Sequence, residues 1–257
     1  MTRLVPHLGG GGAPSLLRKL KMWNCPSLRE LSDDLHILNA LEKFYITGCP
    51  VLKSINSGGG QQQGFTFTSL LDLNICYCVG LTSLPVEMVY SPSLEKLVLR
   101  GLSNMTTNFP IYRVPKFTSL RELTINYCFQ LTNLPVEMIE SCGLSLETLD
   151  LNGLSSITNM GMLIACLHKM TRLRDLIIVD VPIFSIKNIQ NGPLGFQSLQ
   201  MGPFSSDSSN VSFNETVDAV LQQCTSLRRL ILAGMEHWNC FPDQIRHLTS
   251  LDELDFT

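Results

Sequence analysis

The side chains of this chain that could hold a metal ion or act in catalysis are cysteines, histidines and paired carboxylates. Cys76 and Cys78 form the closest cysteine pair, but a single intervening residue does not suit zinc, and no second pair follows. Asp33 and Asp34 lie in a predicted turn, where paired carboxylates usually form a solvated surface. Since there is also no nucleophile elbow and no His-Glu-x-x-His motif, we expect no enzyme, no metal site and no cofactor. The histidines share no common spacing, and they are His7, His36, His168, His237 and His247.

A repeated phrase predicts the elements that would position any functional side chain. In its copy at 120–134, Leu120, Leu123 and Ile125 are followed after two residues by Cys128. The copies begin 23 to 31 residues apart, and repeats of roughly 20–29 residues are typical of leucine-rich solenoids. The first residues of the ten copies are Leu17, Leu41, Leu70, Leu94, Leu120, Leu146, Leu173, Phe196, Leu227 and Leu251.

The alternation of apolar and polar residues inside the phrase indicates a strand with one buried face. Stacked copies therefore predict an α/β fold, a leucine-rich repeat solenoid (horseshoe) with a parallel β-sheet on its concave face. Loops and short helices would form the convex face, with helical turns expected at 86–90 and 136–141. A small, weakly polar side chain suits the corner after each strand, so the cysteines found there are expected to be buried. They are Cys25, Cys49, Cys78 and Cys128.

The register of the repeats also predicts the domain organisation. Residues 1–13, which include four consecutive glycines, are predicted to be a linker, and residues 14–257 a single elongated domain of about nine to ten repeats. The rhythm is degenerate around 185–215, where a weak eighth copy remains at Phe196, and residues 56–66 form a polar insertion. Phe-Thr-Ser-Leu and Leu-Pro-Val-Glu-Met each recur 50 residues further on, which indicates duplication of a two-repeat unit. The last repeat lacks a polar cap, so we expect the chain to be part of something longer.

Composition narrows the classes of partner and the compartment. Charged residues make up 16% of the chain and its net charge is −3, without a run of Lys or Arg, so we expect neither nucleic acid nor an acidic membrane surface as partner. No stretch approaches the ~18 apolar residues of a membrane span, and the N-terminus lacks the apolar core of a signal peptide. These features predict a cytoplasmic protein whose nine cysteines are reduced thiols.

The full phrase Leu-x-x-Leu-x-Ile-x-x-Cys-x-x-Leu-x-x-Leu-Pro occurs at 70–85 and 120–135, and Cys-Pro-x-Leu occurs at 25–28 and 49–52. This combination resembles the leucine-rich repeat domain of plant intracellular immune receptors, the nucleotide-binding leucine-rich repeat disease resistance proteins of the coiled-coil type. The resemblance implies sensing of a pathogen effector or a guarded host protein in innate immunity. It also implies autoinhibition, with an upstream nucleotide-binding domain as a further partner. The chain itself has no P-loop, so any nucleotide-dependent activity would lie outside it.

A single repeat leaves a second interpretation open. Residues 157–162 are Ile-Thr-Asn-Met-Gly-Met, which is similar to the Ile-Thr-Asp-x-Gly-Leu step of F-box leucine-rich substrate adaptors. The alternatives to an immune receptor are therefore a ubiquitin-ligase adaptor and a free-standing leucine-rich scaffold.

Solenoids recognise partners along their concave surface, so the outward-facing positions of the predicted strands supply the candidate contact residues. Aromatic side chains and arginine dominate the binding energy of protein interfaces. Tyr77 and Tyr127 occupy equivalent places two repeats apart and would form a matched pair on one ridge. Tyrosine and tryptophan also favour strands without any ligand, so sheet packing is the alternative role. The candidates for protein binding are Trp23, Tyr45, Tyr77, Arg100, Asn126, Tyr127 and Asp150.

Overall fold

The computed structural model describes residues 16–31, 35, 38–55, 67–84, 86–106, 117–182, 194–205, 217–234 and 241–257. The predicted linker at 1–13, the insertion at 56–66 and the paired carboxylates at 33 and 34 lie outside these residues, as do His7, His36 and His237. The degenerate region at 185–215 is described only over 194–205.

Ten parallel strands of the described chain form one sheet, and each strand pairs with the strand of the next repeat. Every strand begins two residues after the first residue of a predicted repeat, so all ten repeats are confirmed, including the weak one at Phe196. Across the sheet the strands are β1 (Lys19–Trp23), β2 (Lys43–Thr47), β3 (Asp72–Cys76), β4 (Lys96–Arg100), β5 (Glu122–Asn126), β6 (Thr148–Asn152), β7 (Asp175–Val179), β9 (Ser198–Met201), β11 (Arg229–Leu232) and β12 (Glu253–Phe256). A separate pair consists of β8 (Val181–Pro182) and β10 (Phe204–Ser205).

The core is built from the first leucine of each repeat and the second and fourth residues of each strand. In the fifth repeat Leu120, Leu123 and Ile125 are fully buried, and the corresponding residues are buried from β2 to β11. A parallel ladder places each of these residues beside its counterpart in the next repeat, so they form one continuous apolar cluster. In the first and last described repeats, Leu17 and Leu254 are each 40% exposed.

Cysteines fill the corner after the strands, as the sequence predicts. Cys49, Cys78 and Cys128 are fully buried, and the Cys128 thiol donates a weak hydrogen bond to the carbonyl oxygen of Asn126 over 3.5 Å. Burial raises the pKa of the Cys128 thiol to about 11, so this thiol stays protonated at neutral pH and is a poor nucleophile. The eight cysteines of the described ranges are all free, and seven of them are buried. The prediction of a buried corner cysteine is wrong for Cys25, which is partly exposed.

Short helices on the convex side carry the chain from one repeat to the next. Two of them lie where the sequence predicts helical turns, and residues 217–221 are also helical. None of the described helices is long and apolar enough to cross a membrane. The named helices are α1 (Val86–Val89), α2 (Val136–Ser141) and α3 (Met160–Cys166), and 3-10 turns span Leu167–Lys169 and Asp243–His247.

Candidate functional site

A row of left-handed backbone positions forms one edge of the concave face. In nine repeats a residue one or two places beyond the strand has a positive φ, between 48° and 76°. In the first six of them its N–H donates to the last carbonyl of the following strand, as Tyr77 N does to Arg100 O at 2.7 Å. Glycine adopts this conformation readily, whereas most other residues do so at a cost. The row consists of Asn24, Gly48, Tyr77, Gly101, Tyr127, Gly153, Asp180, Gly202 and Gly234.

Tyr77 and Tyr127 belong to this row, so they lie one residue beyond β3 and β5 and not at strand positions as predicted. Each ring lies against the glycine of the next repeat. A Cβ on Gly101 would be 2.6 Å from Tyr77 Cδ1, and a Cβ on Gly153 would be 2.6 Å from Tyr127 Cδ1. The glycines therefore make room for the rings, which remain 51% and 39% exposed. Two strand spacings place these equivalent corners about 10 Å apart.

A polar cluster lies beside these tyrosines in the middle of the sheet. Asn126 is only 3% exposed; its Nδ2 donates to Asp150 Oδ2 at 2.9 Å, and its Oδ1 accepts the N–H of Asn152 at 3.1 Å. Burial raises the pKa of Asp150, while the Asn126 hydrogen bond and the positive charge of Arg100 act in the opposite direction. Asn126 thus positions the Asp150 carboxylate and is too buried to be a broad contact surface itself.

Arg100 stands between this cluster and β3. Its Nε is buried and finds no hydrogen-bond partner among the described residues. Burial raises the pKa of the Cys76 thiol, and the positive charge of Arg100 offsets only part of this effect. A guanidinium with an unused donor in the centre of the face raises the free energy of the unbound protein.

Trp23 and Tyr45 lie at the β1–β2 end of the face. Trp23 is the most exposed of the candidates, at 76%. The Tyr45 hydroxyl donates to Asp72 Oδ2 at 2.5 Å, and the ammonium groups of Lys19 and Lys21 lie 5.7 and 5.2 Å from the centre of its ring. Burial and the bond to Asp72 raise the pKa of Tyr45 to about 12, which keeps the hydroxyl a donor.

Among the residues that the structure describes, the other reactive side chains lie apart from one another. His168 and His247 lie in the 3-10 turns of the convex side, away from the sheet. Cys76 Sγ donates to Asn74 Oδ1 at 2.9 Å on the concave side, whereas Cys78 is buried at its corner. Within the described ranges, no three or more His, Cys, Asp or Glu side chains are grouped so as to hold a metal ion.

Sequence reasoning missed the residues that surround Tyr45. Lys19, Lys43 and Asp72 are the first residues of β1, β2 and β3, and their side chains lie beside the chosen candidates. A signal was present, since Lys19, Lys21 and Trp23 alternate along one predicted strand and must share a face. The glycines that follow β2, β4 and β6 were likewise a signal for left-handed corners.

Comparison with known proteins identifies the architecture. No protein-family model matches the chain, and no curated protein matches its sequence. Among solved structures, the leucine-rich repeat domain of the type III effector XopL matches with a TM-score of 0.55 at 15% identity, covering 95% of this chain and 78% of that one. The chain is a leucine-rich repeat solenoid. The predicted fold class is thereby confirmed, and identity this low shows the fold alone.

Two further leucine-rich repeat structures have lower TM-scores. An internalin from Listeria monocytogenes has a TM-score of 0.44 at 16% identity, with 91% of this chain and 73% of the internalin covered. A protein from Leptospira interrogans has a TM-score of 0.36 at 16% identity, with 90% of this chain and 64% of that one covered.

Within the solenoid, the candidate residues form three neighbouring groups along the described sheet. They are Trp23 with Tyr45 on β1 and β2, Tyr77 just beyond β3 with Arg100 on β4, and Tyr127 just beyond β5 with Asp150 on β6 and its partner Asn126. Each group combines an exposed aromatic ring with a charged or hydrogen-bonding side chain, which is the chemistry of a contact surface.

Proposed function

We propose that this leucine-rich repeat solenoid is a protein-recognition module that binds a protein partner on its concave face and performs no catalysis. The observation that carries the proposal is the pair of exposed rings, Tyr77 and Tyr127, each seated on a glycine and flanking Arg100. Rings that are already packed on one side lose little conformational freedom when a partner covers the other side. Arg100, which is partly exposed at the end of β4 between the two rings, offers that partner a positive charge.

The sequence phrases support a more specific role. The Leu-Pro steps and the Cys-Pro-x-Leu corners resemble plant intracellular immune receptors, so we assign the chain to effector sensing or guarding of a host protein in the cytoplasm. In that role residues 14–257 form the repeat domain, residues 1–13 form a linker, and an upstream nucleotide-binding domain is a second partner through which the repeats maintain autoinhibition. The solenoid fold is compatible with this role and with an adaptor or scaffold.

The binding surface is tested by changing Tyr77, Arg100 and Tyr127 together to Ala. The matched control changes three exposed residues outside the sheet, with the substitutions Leu144→Ala, Met162→Ala and Arg172→Ala. Both variants should keep the circular dichroism of the parent chain.

Immobilised parent, triple variant and control are then compared by quantitative mass spectrometry of the proteins they retain from an extract of the source tissue. We expect at least one protein to be retained by the parent and the control, and to be depleted by about tenfold or more on the triple variant, as for loss of a hot spot. If every retained protein is kept equally by the triple variant, the surface formed by Tyr77, Arg100 and Tyr127 is not the binding surface.

The receptor assignment is tested by the mass of the native protein on an immunoblot. A band several times larger than 28.6 kDa supports a multidomain receptor. A band at 28.6 kDa supports the adaptor or scaffold. A turnover abolished by one His or Asp substitution would overturn the non-catalytic assignment.

A further inference from the structure

The β1–β2 end of the concave face carries a group of lysines. Lys19 and Lys21 on β1 and Lys43 on β2 are all exposed, and Trp23 extends the row along β1. We call Lys19, Lys21, Lys43 and Trp23 the lysine patch. Residues two apart in a strand share one face, so Lys19, Lys21 and Trp23 point in the same direction.

Several strand-side charges of the solenoid, including one pair directly beside the patch, are paired across neighbouring repeats. Five such ion pairs join consecutive repeats: Arg18–Glu42, Lys96–Glu122, Arg121–Glu147, Arg228–Asp252 and Arg229–Glu253. In contrast, no described carboxylate lies within ion-pair distance of any lysine of the patch. Lys19 and Lys43 are register partners, and like charges directly opposite each other destabilise a sheet. An external anionic group would reduce this repulsion.

Tyr45 lies in the centre of the patch and contacts two of its lysines. Its ring holds the ammonium groups of both Lys19 and Lys21 within 6 Å of its centre, a distance at which cations and aromatic rings attract. Its hydroxyl is fixed by the hydrogen bond to Asp72 Oδ2. Asp72 is also the register partner of Lys43, but its Oδ2 accepts the Tyr45 hydroxyl, its Oδ1 is buried, and the two residues form no ion pair. The two β1 ammonium groups are thus held in place before a partner arrives.

The spacing of the patch indicates what that partner looks like. Alternate residues of a strand are about 6.6–6.8 Å apart, and an extended partner segment has the same repeat. A segment lying along β1 would therefore place side chains i, i+2 and i+4 opposite Lys19, Lys21 and Trp23. We propose that the lysine patch binds an extended acidic segment of a protein, with carboxylates at i and i+2 and an apolar side chain at i+4. This rests on the proposed function and specifies the chemistry of its partner.

The test uses a fluorescein-labelled peptide that contains Glu-Ala-Glu-Ala-Phe between Gly-Ser flanks, and a second peptide in which both Glu are Lys. Binding to the whole chain is measured by fluorescence anisotropy. In a Trp238→Phe background Trp23 is the only tryptophan, so its emission reports locally on contact with the unlabelled peptide. We expect that only the acidic peptide binds and that it shifts the Trp23 emission. Its binding should weaken at higher salt, which screens the charges.

The decisive variant is Lys19→Glu with Lys21→Glu, and its control is Lys53→Glu with Arg172→Glu. The control applies the same change in net charge to exposed residues outside the strands. We expect the patch variant to bind the acidic peptide at least about tenfold more weakly than the parent and to bind the lysine peptide instead. The control should bind both peptides as the parent does. Lys19→Gln with Lys21→Gln should lose the acidic peptide without gaining the other, provided that circular dichroism shows both variants folded.

Three outcomes would overturn the proposal. In the first, the acidic peptide does not bind the parent; in the second, it binds the parent and the patch variant equally. In the third, a short single-stranded oligonucleotide or phosphatidylserine vesicles bind as well as the acidic peptide and also depend on the patch lysines. Because the Tyr77, Arg100 and Tyr127 substitutions leave the patch intact, the proposed function can stand if this inference fails, and the two failures give different results.

Discussion

The substitution Gly101→Ala tests the packing of the exposed tyrosines on their glycines. Gly101 has a φ of +64°, and an added Cβ would be 2.6 Å from Tyr77 Cδ1 and 3.1 Å from Cε1. The left-handed conformation costs an alanine about 1–2 kcal/mol, and forcing the ring aside adds about 1–3 kcal/mol. The stiffer unfolded chain returns about 0.4–1 kcal/mol. We therefore expect the free energy of unfolding to fall by about 3 kcal/mol.

A double-mutant cycle separates the two contributions. In the Tyr77→Ala background no ring opposes the new methyl group, so Gly101→Ala should cost only the backbone part, about 1 kcal/mol. Gly161→Ala is the matched control, because this glycine lies inside α3, has no positive φ and would meet nothing within 4 Å. Alanine is preferred over glycine in a helix, so the control should stabilise the protein by about 0.5–1 kcal/mol.

The assay is urea unfolding, followed by circular dichroism and by tryptophan fluorescence. Coincident transitions are needed before the free energies are compared, since repeat arrays can unfold in parts. The reasoning fails if Gly101→Ala and Gly161→Ala change stability in the same direction, or if the cost of Gly101→Ala is the same with and without the Tyr77 ring.

Further predictions concern the core, the buried carboxylate and the thiols. Leu123→Ala should lower the free energy of unfolding by about 2–5 kcal/mol because Leu123 is fully buried, whereas Leu144→Ala at an exposed site should change it little; similar effects would contradict the core assignment. Burial raises the pKa of Asp150 in the folded state, so its contribution to stability is present below the usual pKa of about 3.9 and is lost as pH rises through the folded pKa. The stability of Asp150→Asn relative to the parent should therefore increase across this interval and then level off in urea unfolding at several pH values, and a difference independent of pH would refute it. When the native chain is treated with iodoacetamide, Cys25, which is partly exposed, should be labelled well before Cys128, because burial raises the pKa of Cys128 to about 11. Mass spectrometry of the resulting peptides measures both rates, and equal rates would show that the Cys128 corner is open.

The fold could be predicted from the sequence because two periods coincide in it. Leu123 and Ile125 alternate with polar residues as in a strand, and the same pattern returns at each repeat leucine. In a parallel ladder both periods are satisfied at once, since each inward residue meets its own counterpart in the next repeat. Even the weak copy at Phe196 gives a strand, because its second and fourth strand residues keep the apolar pattern.

The candidate site was less predictable, because its details depend on contacts between repeats. The repeat phrase predicts a strand position for Tyr77, but its N–H donates to the Arg100 carbonyl of the next repeat, and its backbone is left-handed. Its place in the phrase predicts Asn126 to be a contact residue, yet its amide is occupied by Asp150 and by the Asn152 backbone. Neither partner adjoins its residue in the sequence.

The corner row also gives a physical reason for the two-repeat duplication. A Tyr77 ring lies in the space where the next corner would carry a side chain, so the next repeat needs Gly101 there. A single repeat with tyrosine at its corner could not be copied beside itself without a clash. A pair of repeats, tyrosine then glycine, can be copied, and Tyr127 with Gly153 reproduces the arrangement. Duplication in pairs thus repeats an exposed ring about every 10 Å along the concave edge, and the recognition surface grows by the same unit as the fold.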